Sequence, residues 1–111
     1  MKYYPLLFGR RELVEGNGFV ARVAVTGRAL LSEESENEFW VEGINPGGIA
    51  GKGQNPSEAV ADFCVAFRAV LFDIASDAES FQAFHDEVQR FFQETNAPAL
   101  REWEASTVPA G

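Results

Sequence analysis

The sequence contains one cysteine and one histidine, the residue types that most often serve as nucleophile and general base. Cys64 and His85 would form such a pair if the fold brought the thiol to the imidazole. Cys64 lies within an apolar helical pattern, where a thiol packs as a small core residue and is inert. His85 belongs to a second helical pattern and is expected to be exposed or hydrogen-bonded. A metal site needs further Cys or His ligands at suitable spacing, which the sequence lacks. We therefore predict no catalytic residue and no metal ligand.

A glycine-rich segment that contains a lysine, from Gly48 to Gly53, precedes the first predicted helix. Glycines before a helix can cradle a phosphate group. The known phosphate-binding loop places its lysine directly before a Ser or Thr that opens the helix, whereas Lys52 lies several residues earlier and Pro56 removes one donor. The carboxylates of a metal-dependent nuclease are also missing, because residues 19–31, the longest predicted strand, include no Asp or Glu. The sequence predicts no enzyme and no cofactor, and a small hydrolase is the least favoured alternative.

The start of the first helix is marked by Asn55, Pro56 and Glu58. Asn is a preferred N-cap, Pro suits the first helical position, and a Glu three residues after the cap can complete a capping box. The helix is predicted to run to Ile74. Its apolar residues recur at spacings of three and four and should cover one face of the sheet; they are Val60, Phe63, Cys64, Phe67, Leu71 and Ile74.

Alternating apolar and polar residues predict strands before this helix. Residues 19–31 place Phe19, Ala21, Val23, Val25, Ala29 and Leu31 on one face. Residues 39–44 and 49–52 are predicted as two further strands. Residues 3–8 form either a short edge strand or an extended arm, since Pro5 cannot donate to a ladder, and the glycine and two arginines after them break the pattern. The acidic residues 32–38 are predicted to be a solvated hairpin tip, with docking to a basic partner as the alternative.

A second helix is predicted from a capping box at Ser76 and Glu79 to about Thr95. Its apolar stripe comprises Phe81, Phe84, Val88, Phe91 and Phe92. Residues 100–104 could add one helical turn that carries Trp103, and the last six residues read as a tail. We therefore predict a single α+β domain over residues 1–111, with a small antiparallel sheet of three or four strands and two helices packed on one face.

Composition limits the classes of function. Hydrophobic residues make up 46% of the 111 residues, which is too apolar for a disordered chain. The net charge of −8 argues against direct nucleic-acid binding, which needs clustered Lys and Arg, but it suits a basic protein partner. No apolar run approaches the roughly 20 residues of a membrane span, and no signal peptide is evident. With a single cysteine, a cytoplasmic protein that does not bind membranes is expected.

The order of these elements resembles the HicB-like domain of bacterial toxin–antitoxin systems. That family has a strand, a Pro-Gly turn, a short strand, a Gly-x-Thr motif and a Glu-Ala pair that opens a helix. Here Gly48 and Gly53 stand at the positions of its two glycines, Asn55 stands where Thr is usual, and Glu58 with Ala59 matches the Glu-Ala pair. The resemblance covers about residues 19–74, and residues 76–111 form a C-terminal helical extension and tail.

The chain also departs from the family pattern. Gly47 is an extra residue between Pro46 and Gly48, and a helix takes the place of the family's last strand. The DNA-binding segment that many members carry has no counterpart in the acidic, aromatic C-terminal part. The resemblance implies a partial ribonuclease H-like fold and a protein that neutralises a small basic ribonuclease toxin.

The sequence therefore predicts a non-enzymatic, HicB-like protein-binding module, with an antitoxin as its specific form. The alternative is a stand-alone homo-oligomeric domain without a toxin partner, and a neighbouring gene for a small basic protein would separate the two. We also predict a homodimer, because two aromatic-rich helices and a small sheet present more apolar surface than one domain covers. Phe91, Phe92 and Trp103 are the predicted interface residues, since little chain remains after them to shield them.

Overall fold

The structure is a computed structural model that describes residues 2–107. It confirms the α+β class: a four-stranded antiparallel sheet is followed by three helices. The strands lie in the order of the sequence, each paired with the next. Their bounds are β1 Lys2–Glu15, β2 Val20–Ser35, β3 Glu38–Asn45 and β4 Ala50–Gly53; the helices are α1 Pro56–Asp77, α2 Phe81–Gln93 and α3 Ala97–Thr107. None of the helices in the described part of the chain is long and apolar enough to cross a membrane.

The first two strands are longer than the sequence pattern indicates. β1 passes through Gly9 and both arginines without a break, because each of its residues has a partner on β2, from Lys2 opposite Glu33 to Glu15 opposite Val20. The acidic segment at 32–38 was expected to be a loop, but residues 32–35 continue β2 and only residues 36–37 form the turn. Continuous cross-strand pairing thus overrides the low strand propensity of these glycine and acidic residues.

The main hydrophobic core lies between one face of the sheet and helices α1 and α2. Phe63 and Phe67 of α1 are almost fully buried there, as predicted. The buried stripe of α1 consists of Ala59, Phe63, Phe67, Leu71 and Ala75. Val60, which we had assigned to this stripe, is 38% exposed, because the first turn packs through Ala59 against the short strand β4 instead.

The boundary between α1 and α2 lies later than predicted. The capping box expected at Ser76 is wrong, because α1 continues through Asp77 and Ser80 is the N-cap of α2, with its hydroxyl accepting from the backbone N–H of Ala83. The tip of the β1–β2 hairpin holds this junction: the Asn17 side-chain amide donates to the carbonyls of Ser76 and Ala78. These bonds satisfy carbonyl groups that the end of a helix leaves without partners.

A third helix packs on the opposite face of the sheet, where we had predicted no more than a helical turn. Asn96 caps it by accepting from the backbone N–H of Ala99. A second, smaller core joins Ala99, Leu100 and Trp103 to Leu30 and Ile44 of the sheet. Two of the six residues assigned to a tail belong to this helix, and residues 108–111 lie outside the described part. The domain therefore has two helices on one face of the sheet and one on the other.

Candidate functional site

The glycine-rich turn and helix cap have structural roles. Gly48 has a φ of +79°, a conformation that favours glycine. A Cβ atom at Gly51 would lie 2.2 Å from the backbone nitrogen of Phe63, and one at Gly53 would lie 2.5 Å from Cβ of Glu58. These two glycines therefore let α1 pack directly on the backbone of β4. The segment brings strand and helix into contact, which accounts for its composition without a phosphate ligand.

The predicted N-cap is present. The Asn55 side-chain oxygen accepts from the backbone N–H of Glu58 at 2.9 Å. The return bond differs from the usual capping box: the Glu58 carboxylate accepts from the Asn55 side-chain amide at 2.9 Å. The cap thus joins two side chains and fixes the start of α1.

Of the side chains that could do chemistry, Cys64 and Asp62 contribute to the packing of the fold, and His85 lies on the surface. Cys64 is half-buried and packs against the main core. His85 is exposed on α2, with its ring centroid 6.2 Å from that of Phe81. Asp62 accepts from the backbone N–H of Lys52 at 2.9 Å and so ties β4 to α1. Residues 2–107 contain no group of three or more His, Cys, Asp or Glu placed to hold a metal ion.

An open sheet leaves strand edges that can pair with other chains, and two edges of this sheet are protected. β4 is an edge strand of only four residues, covered by the start of α1. β1 carries Pro5 and directs an ion pair, Arg10 with Glu12, under the helices, with nitrogen and oxygen 2.6 Å apart. Short length, proline and inward charges are the usual means by which proteins protect sheet edges.

The third edge is the first part of β2. It is not short, it contains no proline, and it directs no charged side chain toward the helices. β3 pairs with β2 only from Arg28 onward, so residues 20–27 have β1 on one side and no strand of the described chain on the other. The sequence of this segment, Val-Ala-Arg-Val-Ala-Val-Thr-Gly, has high strand propensity and lacks proline and acidic residues. Half of β2 is therefore an unprotected edge strand.

The pairing pattern identifies which backbone groups are unpaired. In an antiparallel ladder, opposite residues alternate between pairs that bond to each other and pairs whose N–H and C=O groups point away. The backbone N–H of Gly16 donates to the carbonyl of Phe19 at 2.9 Å, so Gly16 and Phe19 form a hydrogen-bonded pair. Counting along the register from this pair shows which later pairs of β1 and β2 are bonded and which point outward. The backbone nitrogen of Pro5, which carries no hydrogen, therefore lies on the outer edge of β1, where the ladder needs no donor. On β2, the outward groups belong to Val20, Arg22, Ala24 and Thr26, and no other described residue bonds to them.

An apolar groove runs beside this edge. It has a volume of about 270 Å³ and lies between residues 21–25 of β2 and the facing side of α2. Phe84 and Val88 form its buried wall, while Phe81 is 51% exposed at one end. On the outer side of the same strand, Val20 is 59% exposed. An added strand would find backbone partners along the edge and apolar contacts on the groove side.

The junction at the end of β3 explains why the edge is open. Asn45 is held in two directions: its side-chain oxygen accepts from Arg28 at 2.9 Å, and its amide donates to the Thr95 hydroxyl at 2.7 Å. The backbone N–H of Asn96 bonds to the carbonyl of Ile44 at 3.1 Å. These bonds turn β3 toward the α2–α3 connection and away from the remainder of β2.

The three residues predicted as an interface pack within the chain. Phe91 and Phe92 are half-buried against Phe67, with ring centroids 6.4 and 6.1 Å from it. Trp103 is half-buried on the other face, where its indole N–H donates to the carbonyl of Leu6 at 3.2 Å. The structure therefore does not bring them together on one surface. Phe92 alone of the three lines the groove.

Charge is divided unevenly along the chain. Residues 2–28, which run from β1 to the first residue of β2 that pairs with β3, carry five basic and two acidic side chains. Residues 29–111 carry four basic and fifteen acidic side chains. The net charge of −8 is thus the sum of a basic β1–β2 hairpin and a strongly acidic remainder.

The fold and this edge define the class of protein only as an α+β domain with an open antiparallel sheet. No family model, no curated protein and no solved structure matches the chain.

Proposed function

We propose that the chain is a non-enzymatic protein-binding module. The observation that carries this proposal is the unprotected edge of β2, with the unpaired backbone groups of four alternate residues beside an apolar groove. An extended peptide segment can satisfy such groups as a further strand, and alternate side chains then enter the groove. In contrast, Glu58, Asp62 and Cys64, which could contribute to chemistry, are engaged in capping or packing.

The specific form of the proposal is a HicB-like antitoxin that neutralises a small basic ribonuclease toxin. Two features support it: the succession of strand, turn, short strand and capped helix at residues 38–77, and the excess of acidic side chains after residue 28. Acidic residues that are exposed on the helices include Asp73, Asp77, Asp86 and Glu87. A basic partner would be attracted to this surface, and its association rate would fall with rising salt.

Co-expression with the product of a neighbouring gene, where that gene encodes a small basic protein, tests this form. We expect a complex of defined stoichiometry by light scattering and relief of the growth arrest that the partner causes alone. Ala24→Pro should weaken the complex if the partner binds at the edge of β2, because it removes an outward N–H that the sheet itself does not use. A neighbouring product that neither binds nor arrests growth would refute the antitoxin role.

The second candidate is a stand-alone homo-oligomeric domain. One observation favours it: the outward backbone groups of the open segment of β2 recur at alternate residues, so the segment can pair with itself in an antiparallel register. Sedimentation or light scattering of the isolated chain separates this candidate from a module that stays monomeric until it meets a different protein.

A further inference from the structure

We propose that the open edge of β2 pairs with the same edge of a second copy, antiparallel about a two-fold axis that passes Val23 of both chains. This inference rests on the proposed protein-binding function and takes its second form, in which the partner is another copy of the chain. It places the interface on the edge of the sheet, away from Phe91 and Trp103, and Phe92 is the one predicted interface residue that lines the adjoining groove.

The unpaired backbone groups permit only a few registers. They belong to Val20, Arg22, Ala24 and Thr26, so each new bonded pair must join two residues of this set. Two-fold pairing can therefore be centred on residue 22, 23 or 24. Other centres leave at least half of the set without partners.

Charge and existing pairing choose among the three registers. A centre at residue 22 places Arg22 directly opposite Arg22 of the second copy, and like charges in that position are destabilising. A centre at residue 24 places Val20 opposite Arg28, whose backbone already pairs with Asn45. A centre at residue 23 places Arg22 opposite Ala24 and Val20 opposite Thr26. Only this register gives a partner to every member of the set.

Side-chain packing agrees with the same register. On the groove side, Val23 meets Val23 of the second copy and Ala21 meets Val25, so the apolar floor of each groove continues into the other. On the outer side, Val20, which is 59% exposed, gains a β-branched neighbour in Thr26. The result is one continuous eight-stranded sheet in which neither copy presents the unprotected edge.

The dimer is expected to be weak. Only seven residues of each copy, from Val20 to Thr26, enter the new ladder, which is a small interface compared with those of permanent dimers. We therefore expect a dissociation constant in the micromolar range, with the dimer dominant at a protein concentration of about 1 mM.

Proline substitution tests the edge with a matched control. Ala24→Pro removes an N–H that points out of the sheet, so the β1–β2 ladder keeps its bonds. Gly9→Pro makes the same change on the outer edge of β1, where Pro5 already occurs and a Cβ atom has room. By light scattering from about 1 μM to about 1 mM, Ala24→Pro should raise the dimer dissociation constant at least about tenfold, because each copy loses a hydrogen bond. Gly9→Pro should leave it unchanged.

Cysteine substitution tests the register. In a Cys64→Ala background, Val23→Cys should form an intermolecular disulfide under mild oxidation, since only residues at the axis bring two identical side chains within bonding distance. Val25→Cys should not, because its neighbour across the interface is Ala21. A disulfide from Arg22→Cys or Ala24→Cys in place of Val23→Cys would overturn the proposed register.

The outcomes for the dimer and for the protein-binding function are distinct. A monomer at about 1 mM, or a dimer that Ala24→Pro leaves intact, overturns the inference. A second outcome is a monomeric chain that binds a different protein, with Ala24→Pro weakening that complex. In that case the protein-binding function stands and only the partner is wrong. If neither a second copy nor a different protein slows the hydrogen exchange of the backbone amides of residues 22 and 24, both proposals fail.

Discussion

The strongest test of the fold is Phe67→Ala. The Phe67 side chain has no exposed surface and contacts three aromatic rings from two elements: Phe8 of β1 at 5.8 Å between centroids, and Phe91 and Phe92 of α2. Truncation of a buried Phe costs about 3–5 kcal/mol, and three ring contacts place this residue near the upper end. The loss should therefore be about 4–5 kcal/mol, a large part of the 5–15 kcal/mol that typically stabilises a domain.

The matched control lies on the same helix. Phe72 is 36% exposed and contacts the Arg68 guanidinium, 5.2 Å from its ring centroid. Phe72→Ala should cost no more than about 1–2 kcal/mol, because much of its surface is already hydrated. Urea unfolding followed by circular dichroism measures both variants, and Phe67→Leu covers the case in which the alanine variant does not fold. Equal losses for the two alanine variants would show that α1 does not face the sheet as described.

Three further predictions concern other parts of the fold and use the same unfolding assay. Asn55→Ala should cost about 1 kcal/mol through loss of the N-cap, and an unchanged midpoint would mean that α1 does not depend on this cap. Gly48→Ala should cost roughly 1–2 kcal/mol, because only the positive φ angle opposes a side chain at Gly48. Gly51→Ala should cost more, because the new Cβ atom would collide with the backbone of α1. The reverse order would contradict the close packing of β4 and α1. Trp103→Phe should cost about 1 kcal/mol by removing the bond to Leu6, and Trp103→Ala about 3 kcal/mol or more; no effect from either would mean that α3 does not pack on the outer face.

Local signals in the sequence predicted much of the fold. The Asn55 cap, the alternation from Phe19 to Leu31 and the buried Phe63 and Phe67 are each set by a few neighbouring residues, and each is present. The errors fall where distant contacts decide. Gly9 stays in a strand because β2 pairs with it, and Ser80 caps α2 in place of Ser76 because hairpin residue Asn17 holds the end of α1.

The candidate site was missed for a related reason. The sequence showed that the second strand is much longer than the third, which implies an incompletely paired edge. It did not show which part of the strand is unpaired, because that depends on the side chain of Asn45, which bonds to residues 17 positions before it and 50 positions after it. Interactions at such separations leave no periodic signal in the sequence.

The same junction connects the third helix to the open edge. Had β3 continued alongside β2 past Arg28, it would have covered Val20 to Thr26 and left no unpaired backbone. Instead, bonds from Asn45 and Ile44 to Thr95 and Asn96 turn the strand away and fix the point at which α3 starts on the outer face. That helix buries Leu30 and Ile44, so the part of the sheet in which β2 pairs with β3 is covered on both faces. The part of the β1–β2 hairpin that β3 does not reach is covered on one face only. The arrangement that stabilises one half of the sheet therefore leaves the other half with unpaired backbone groups.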